Sequence, residues 1–479
     1  MMVSIKKNFG YSIILTCSSY IFSFITFPYV TRVLGVNNIG ICNFVDSIIQ
    51  YFIIISMMGV TTIGIREVAK YKAEPRELSK VFSSLLSINL LFTLFSIIAL
   101  ILSSAFIPKL HQYSQLIYIG VARILAGSLM IEWLYNGLEN FRYVAIRSLI
   151  IRVLYVILIF LFVNEESDYI LYFTLNVFTF VANAALNLIY SKNFVIFSFK
   201  AIEVKRFIGS YIILGVYMIL TNVYSTFNVM YLGFVTSDTE VGYYTTAIKL
   251  FTIVMSIFTA FTGVMMPRMS ALLANNQVDD FRVLTSKSLD ALFAFTIPLI
   301  IISEFCAPQI IYILAGEGYE GAILPMRIVM PLMLIICYEQ IIILQILTPM
   351  KKDSAILTNS AIGALIGLLL NILLVSRIGS VGSAIVLFLA EVAVLLSAQF
   401  FVNRYANFKF PFIDFVKRLK YSIPILILCY VIVSIINSPF ISCLILSLVV
   451  IVYWLIIECL IIKNSLLIES FKRYCHGIR

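Results

Sequence analysis

Apolar runs of about twenty residues recur along this chain from Ser12 to Ile462, separated by short polar stretches. A run of that length spans a bilayer as a helix, because 1.5 Å of rise per residue covers a hydrocarbon core of about 30 Å. The pattern predicts fourteen such helices, at 11–31, 41–63, 81–105, 115–135, 143–163, 169–190, 207–232, 241–266, 288–312, 322–347, 354–376, 381–402, 421–437 and 440–462. The expected fold is an all-α polytopic membrane protein. No small-residue cleavage pattern follows the first run, so it reads as a retained helix rather than a removed signal peptide. An even number of spans puts both ends of the chain on one side of the membrane.

The polar stretches decide which side. Only 12% of residues are charged, with 34 Lys and Arg and a net charge of +10. In a chain this apolar, the excess reports cytoplasmic loops rather than nucleic-acid binding. Twenty-seven of the 34 fall at the termini or in every second loop. The stretch REVAKYKAEPRELSK alone holds Arg66, Lys70, Lys72, Arg76 and Lys80, and Arg142, Arg147, Lys417 and Arg418 are assigned to loops of the same set. The alternate loops hold Arg32, Lys109 and Arg377, and acids such as Glu165, Glu166, Asp168 and Asp238 collect there. This bias predicts a multi-pass protein with both termini cytoplasmic. The eight cysteines are scattered with no CxxC or Cys/His cluster, which predicts neither a disulfide frame nor a metal site.

The chain echoes itself. Gly40 and Arg66 in the first part have counterparts in Gly242 and Arg268, with the same spacing of 26 residues within each pair. Pro108 matches Pro308, and GYSIIL at 10–15 has an echo in GSYIIL at 209–214. The predicted organisation is therefore a six-helix bundle over 1–200, a second over 201–402, and two extra helices with a tail over 403–479. Two like bundles entering the membrane from the same side suggest a central cavity and alternating access.

Four cations fall inside predicted spans: Arg123, Arg152, Lys249 and Arg327. A cation at the bilayer centre costs about 2.5–3.5 kcal/mol on insertion scales, so such residues face a protein interior or an aqueous cavity. Arg123 and Arg327 sit at near-equivalent places in the two copies, as do Asp46 and Lys249. One reading pairs these cations with Asp46, Glu132, Glu304, Glu339 and Glu391, and lets Arg327 reach the interface along its stem. The other lines an electropositive cavity for an anionic substrate, phosphate above all, because the Arg fork donates bidentately. The same carboxylates are candidates for ion coupling. Asn176, Asn183 and Asn187 share one face of the span at 169–190, where they either contact sugar hydroxyls or bond helices together.

No nucleotide-binding loop, catalytic His arrangement or large external loop is present, so the sequence points away from an enzyme and implies no cofactor. FPYVTRVLGVNNIGICNF followed by GVTTIGIREVAK resembles the N-terminal signature of Wzx-type polysaccharide flippases, in the superfamily that includes the MATE exporters. WLYNGLENFRYVAIRSLIIR at 133–152, GYYTTAIKLF at 242–251, MPRMSALLA at 266–274 and GSVGSAIVLFLAE at 379–391 extend the resemblance in order over about residues 5–402. It implies a MATE-like fold in a bacterial inner membrane and transfer of undecaprenyl-diphosphate-linked oligosaccharide to the outer leaflet, for O-antigen, capsule or exopolysaccharide synthesis. It also implies a cationic lumen holding the diphosphate, for which Arg123, Arg152, Lys249 and Arg327 are the candidates. Implied partners are the lipid-linked substrate, membrane lipids, and a polysaccharide polymerase with its chain-length protein. The alternative is an ion-coupled multidrug or small-molecule exporter. Neither 11–31 nor 207–232 carries an acidic residue, which departs from the coupling pattern of MATE exporters. A scaffold for glycan-assembly enzymes would need no charge in the membrane at all.

Overall fold

The computed structural model describes the backbone of residues 5–464 and 467–468; most side chains before residue 21, those at 201, 217 and 219–226, and the terminal cations Lys6, Lys7, Lys472, Arg473 and Arg479 lie outside the described residues. Helices and short connections make up everything described. Eleven stretches are long and apolar enough to cross a bilayer. Two of them, Ile21–Tyr71 and Asp353–Ala406, each run through two predicted spans, and Val204–Val235 supplies the helix predicted at 207–232. All fourteen predicted spans are therefore helical.

The chain packs as two compact units, Met1–Gly242 and Tyr243–Arg479. The first contains α1 (Ile5–Met57), α2 (Val60–Tyr71), α3 (Pro75–Phe106), α4 (Pro108–Gln112), α5 (Ser114–Leu129), α6 (Glu132–Gly137), α7 (Phe141–Phe162), α8 (Tyr169–Ser191) and α9 (Val204–Val235). Its core gathers Val81, Phe82, Leu85, Trp133, Tyr135 and Tyr211, all buried. Large apolar side chains such as Leu91, Phe95, Ile150 and Leu161 are more than half exposed, which suits a surface solvated by lipid tails rather than water. The Gly242 that the repeat matches to Gly40 lies against the same turn of α1. A Cβ on Gly40 would collide with the Asp238 carbonyl oxygen, and one on Gly242 with that of Val36. Backbones can approach this closely only where neither residue has a side chain.

The predicted spans at 41–63 and 115–135 are both interrupted. α1 ends and α2 begins around Met58, with φ of 33°, and α5 gives way to α6 at Ile131, with φ of 40°. Left-handed backbone at Ile131 is strained, since a branched Cβ crowds the following carbonyl. Each break also frees carbonyls that lipid cannot hydrogen-bond. Side chains from neighbouring helices satisfy them: the Tyr211 hydroxyl donates to the Ser56 carbonyl at 2.9 Å, Asn89 Nδ2 to that of Ser128 at 3.3 Å, and Asn187 Nδ2 to that of Met130. The two half-helices beyond the breaks, α2 and α6, pack on each other, with Trp133 lying against Gly64.

The second unit contains α10 (Asp238–Ala274, which begins just before the boundary), α11 (Val278–Phe305), α12 (Ala307–Ala315), α13 (Ile323–Val329), α14 (Leu332–Gln340), α15 (Asp353–Leu370), α16 (Ser376–Ala406), α17 (Phe412–Ile435) and α18 (Pro439–Ile456). π-Helical turns interrupt it at Ile341–Leu347, Asn371–Val375 and Ile457–Ile462. α17 and α18, the extra pair, pack on α11. Arg418 fixes them there: its Nε donates to Glu458 Oε1 at 2.8 Å and its Nη2 to Asp290 Oδ1 at 2.9 Å. Arg418 and Glu458 are fully buried. The loop assignment of Arg418 is thus corrected. It lies inside α17, and two carboxylates make its burial tolerable.

Candidate functional site

α1 and α5 pack along each other in the first unit, and the apolar positions that join them leave Asp46 and Arg123 face to face as an ion pair. Arg123 is buried, with its guanidinium 4.5 Å over the Phe180 ring of α8. Its Nε is buried without an acceptor. The Asp46 side chain remains 40% exposed against 9% for Arg123. The cation is therefore walled in, and its counter-ion is the accessible member of the pair. One turn beyond Phe180, Asn183 Nδ2 donates to the Thr179 carbonyl at 2.6 Å while its Oδ1 is buried and unpaired. An unused Arg123 donor and, one turn along α8 from Phe180, an unused Asn183 acceptor are thus both present in this unit.

The other predicted residues of this unit are spoken for by protein partners. Arg152 Nη1 on α7 donates to the Leu15 carbonyl and to Ser18 Oγ of α1, each at 2.7 Å. Asn176 lies beside the Tyr155 hydroxyl. Asn187 is fully buried; besides closing the helix break at Met130, its Oδ1 accepts from Arg147 Nη1. Arg147, assigned by sequence to a loop, is instead buried within α7, where its Nη2 donates to Glu132 Oε1 at 2.6 Å. The available signal was its position inside the 143–163 span, which should have outweighed its nearness to the span's edge.

In the second unit, Lys249 on α10 is exposed and has no ion-pair partner among the described residues. Arg327 on α13 is exposed as well, and its Nε donates to the Glu304 carbonyl at 3.3 Å. Glu339 at the end of α14 and Glu391 on α16 have their carboxyl groups in hydrogen-bonding contact, which the sequence did not foresee. Glu391 is buried, and Glu339 Oε2 is enclosed without a donor. Among the described residues no group of three or more His, Cys, Asp or Glu could hold a metal ion.

Comparison with known proteins places this geometry in context. Residues 5–273 match the family described as polysaccharide biosynthesis protein. A protein of Escherichia coli (strain K12) named "Putative O-antigen transporter" is 24% identical over 406 residues, 84% of this chain and 97% of that protein. A protein of the same name from Shigella dysenteriae is 25% identical over 82% of this chain and 98% of its own length. Among solved structures, the lipid II flippase MurJ in an inward closed conformation aligns with a TM-score of 0.72 at 15% identity, over 93% of this chain and 98% of that one. An inward-facing multidrug-resistance MATE transporter of the MOP superfamily aligns with a TM-score of 0.61 at 12% identity, over 80% and 95%. These structures establish a MurJ- and MATE-like fold.

Proposed function

The chain belongs to the polysaccharide biosynthesis protein family, and on that premise we propose that it flips undecaprenyl-diphosphate-linked oligosaccharide from the cytoplasmic to the outer leaflet of a bacterial inner membrane. The observation that carries this reading is the likeness, over nearly the full length of both relatives, to two proteins named as O-antigen transporters. The geometry supplies a route to the mechanism. With no substrate present, Asp46 neutralises Arg123. An entering diphosphate displaces this exposed carboxylate and takes the guanidinium bidentately, and the sugars meet Asn183. By residue type, Arg152 of the first unit and Lys249 and Arg327, exposed in the second, are further candidate cations for the diphosphate.

The polyprenyl tail stays in lipid while the charged head passes from an inward-open to an outward-open state. Membrane potential favours that direction. One charge through 100 mV is worth about 2.3 kcal/mol, so a head with two negative charges gains roughly twice that. Glu339 and Glu391 are the candidates for coupling the cycle to protons, because a pair that shares a proton releases it when the two carboxyls are separated. Both termini and the Arg66–Lys80 segment, the end of α2 and the start of α3, are cytoplasmic in this scheme.

The test is the leaflet sidedness of labelled lipid-linked oligosaccharide in cells lacking the protein, then restored with wild type or Arg123→Ala. We expect inner-leaflet accumulation, rescued by the wild type and reduced at least about tenfold in rate for the variant, the worth of one charge-assisted contact in a dry site. Normal sidedness without the protein would overturn the flippase reading.

A further inference from the structure

The Arg142 end of α7 carries a feature outside the proposed transport site. α7 and α8 diverge there to leave a groove of about 530 Å³. Its walls are Ile146, Ile150 and Leu186, all exposed, so the groove opens on the outward apolar surface. Its upper end is built from Tyr143 and Tyr190, stacked with ring centroids 3.9 Å apart. Both rings are held: the Tyr143 hydroxyl donates to the Leu186 carbonyl at 2.9 Å, and Asn140 Nδ2 donates to the Tyr190 hydroxyl at 3.3 Å. The Tyr190 proton therefore has no protein acceptor among the described residues. At the rim stands Arg142, exposed and without a carboxylate partner among the described residues.

We propose that this groove is a binding site for one anionic phospholipid of the inner leaflet. Its phosphate sits on the Arg142 guanidinium and the Tyr190 hydroxyl, and one acyl chain lies along Ile146, Ile150 and Leu186. Three features select that occupant. The unpaired cation complements a phosphate. Stacked tyrosines at the head of an apolar groove match the headgroup boundary, where aromatic rings with a polar edge concentrate. The start of α7, which holds Arg142, lies at the end that the charge bias assigns to the cytoplasmic, anionic leaflet. The floor of the groove is Arg147, whose ion pair with Glu132 borders the helix break at Ile131. A bound lipid would therefore brace the junction of α5 and α6.

The inference needs only the membrane placement, not transport. Full-length protein is reconstituted in nanodiscs of phosphatidylglycerol and phosphatidylcholine, and lipid retained after extraction is counted by native mass spectrometry. Wild type is expected to keep one phosphatidylglycerol in preference to phosphatidylcholine. Arg142→Ala should weaken that retention about fivefold, the effect of one surface cation on an anionic lipid. Ile150→Trp, which fills the groove and leaves every charge in place, should also release it, whereas Arg76→Ala, an exposed cation elsewhere, should not. Equal retention of both lipids, or loss in Arg76→Ala to the same degree, would overturn the site. So would retention of a polyprenyl phosphate, but not of phosphatidylglycerol, in an Arg142-dependent manner.

Discussion

Single side chains decide two properties that the chain's apolar pattern leaves open. The Asp46 carboxylate competes with any anion for Arg123, so Asp46→Asn should tighten binding of a soluble polyprenyl-diphosphate analogue by about tenfold while slowing its release. Isothermal titration against the purified variant checks this, and unchanged affinity would remove Asp46 from the exchange. Asp168 acts through backbone. Its Oδ2 accepts from the Asn164 and Glu165 amides at 2.8 and 2.9 Å, and these bonds hold its carboxyl below the usual carboxylate range. A depressed folded value means that the loop's order is complete above the ordinary carboxylate range and is lost as pH falls through the lower folded value. Protection of those two amides from hydrogen exchange, corrected for intrinsic rate, should therefore be high at neutral pH and decline in acid. In Asp168→Asn it should be low throughout. Sequence offered Asp46 among five possible partners for the four intramembrane cations but did not assign it to Arg123, because that partnership depends on the rotation of α1 against α5.

At the scale of elements, the main discrepancy with sequence is the pair of breaks at Met58 and Ile131. Neither falls at a proline, and the apolar pattern runs through both without interruption, so the propensity of the segments could not reveal them. What stabilises them lies in other helices: Tyr211, Asn89 and Asn187 supply the donors that the broken ladder lost. Asn187→Ala should cost about 2–4 kcal/mol, because it strands both the Met130 carbonyl and a buried Arg147 donor. Asn183→Ala, one turn away, should cost under about 1 kcal/mol, since it removes a single local bond. Denaturant midpoints in a mild detergent compare the two, and equal losses would mean that the break is not held by Asn187. The packing of α2 on α6 through Trp133 and Gly64 joins the two half-helices beyond the breaks.

On the scale of the whole molecule, the extra helices α17 and α18 belong to the second unit because of one charge cluster. Replacing Arg418 by Leu leaves the buried Glu458 and the half-buried Asp290 without their cation, at a cost of about 3–5 kcal/mol. Adding Glu458→Leu should recover much of that loss, since an apolar pair of similar volume suits the site. Thermal unfolding of single and double variants measures it, and a double variant no better than the single would refute the anchor. The six-plus-six organisation read from the repeat and the packing division after Gly242 are different quantities. The first follows similarity along the chain, and the second follows where side chains interlock.

The sequence by itself determined the membrane class, the fourteen helical spans and the family, because each depends on properties summed over many residues: hydropathy over about twenty positions, and motif order over hundreds. Its candidate list placed Arg123, Arg152, Lys249 and Arg327 inside spans but left Arg147 and Arg418 among the loop charges. Tertiary structure decided what those groups do. Arg147 and Arg418 became buried anchors rather than loop charges, Arg152 and Asn187 were given protein partners, and Arg123 was left with a partly exposed one. The physical reason is range. A hydrophobic run acts on its own segment, whereas the state of a charge in a low-dielectric interior is set by whichever group sits within a few ångströms, and that group is supplied by another helix.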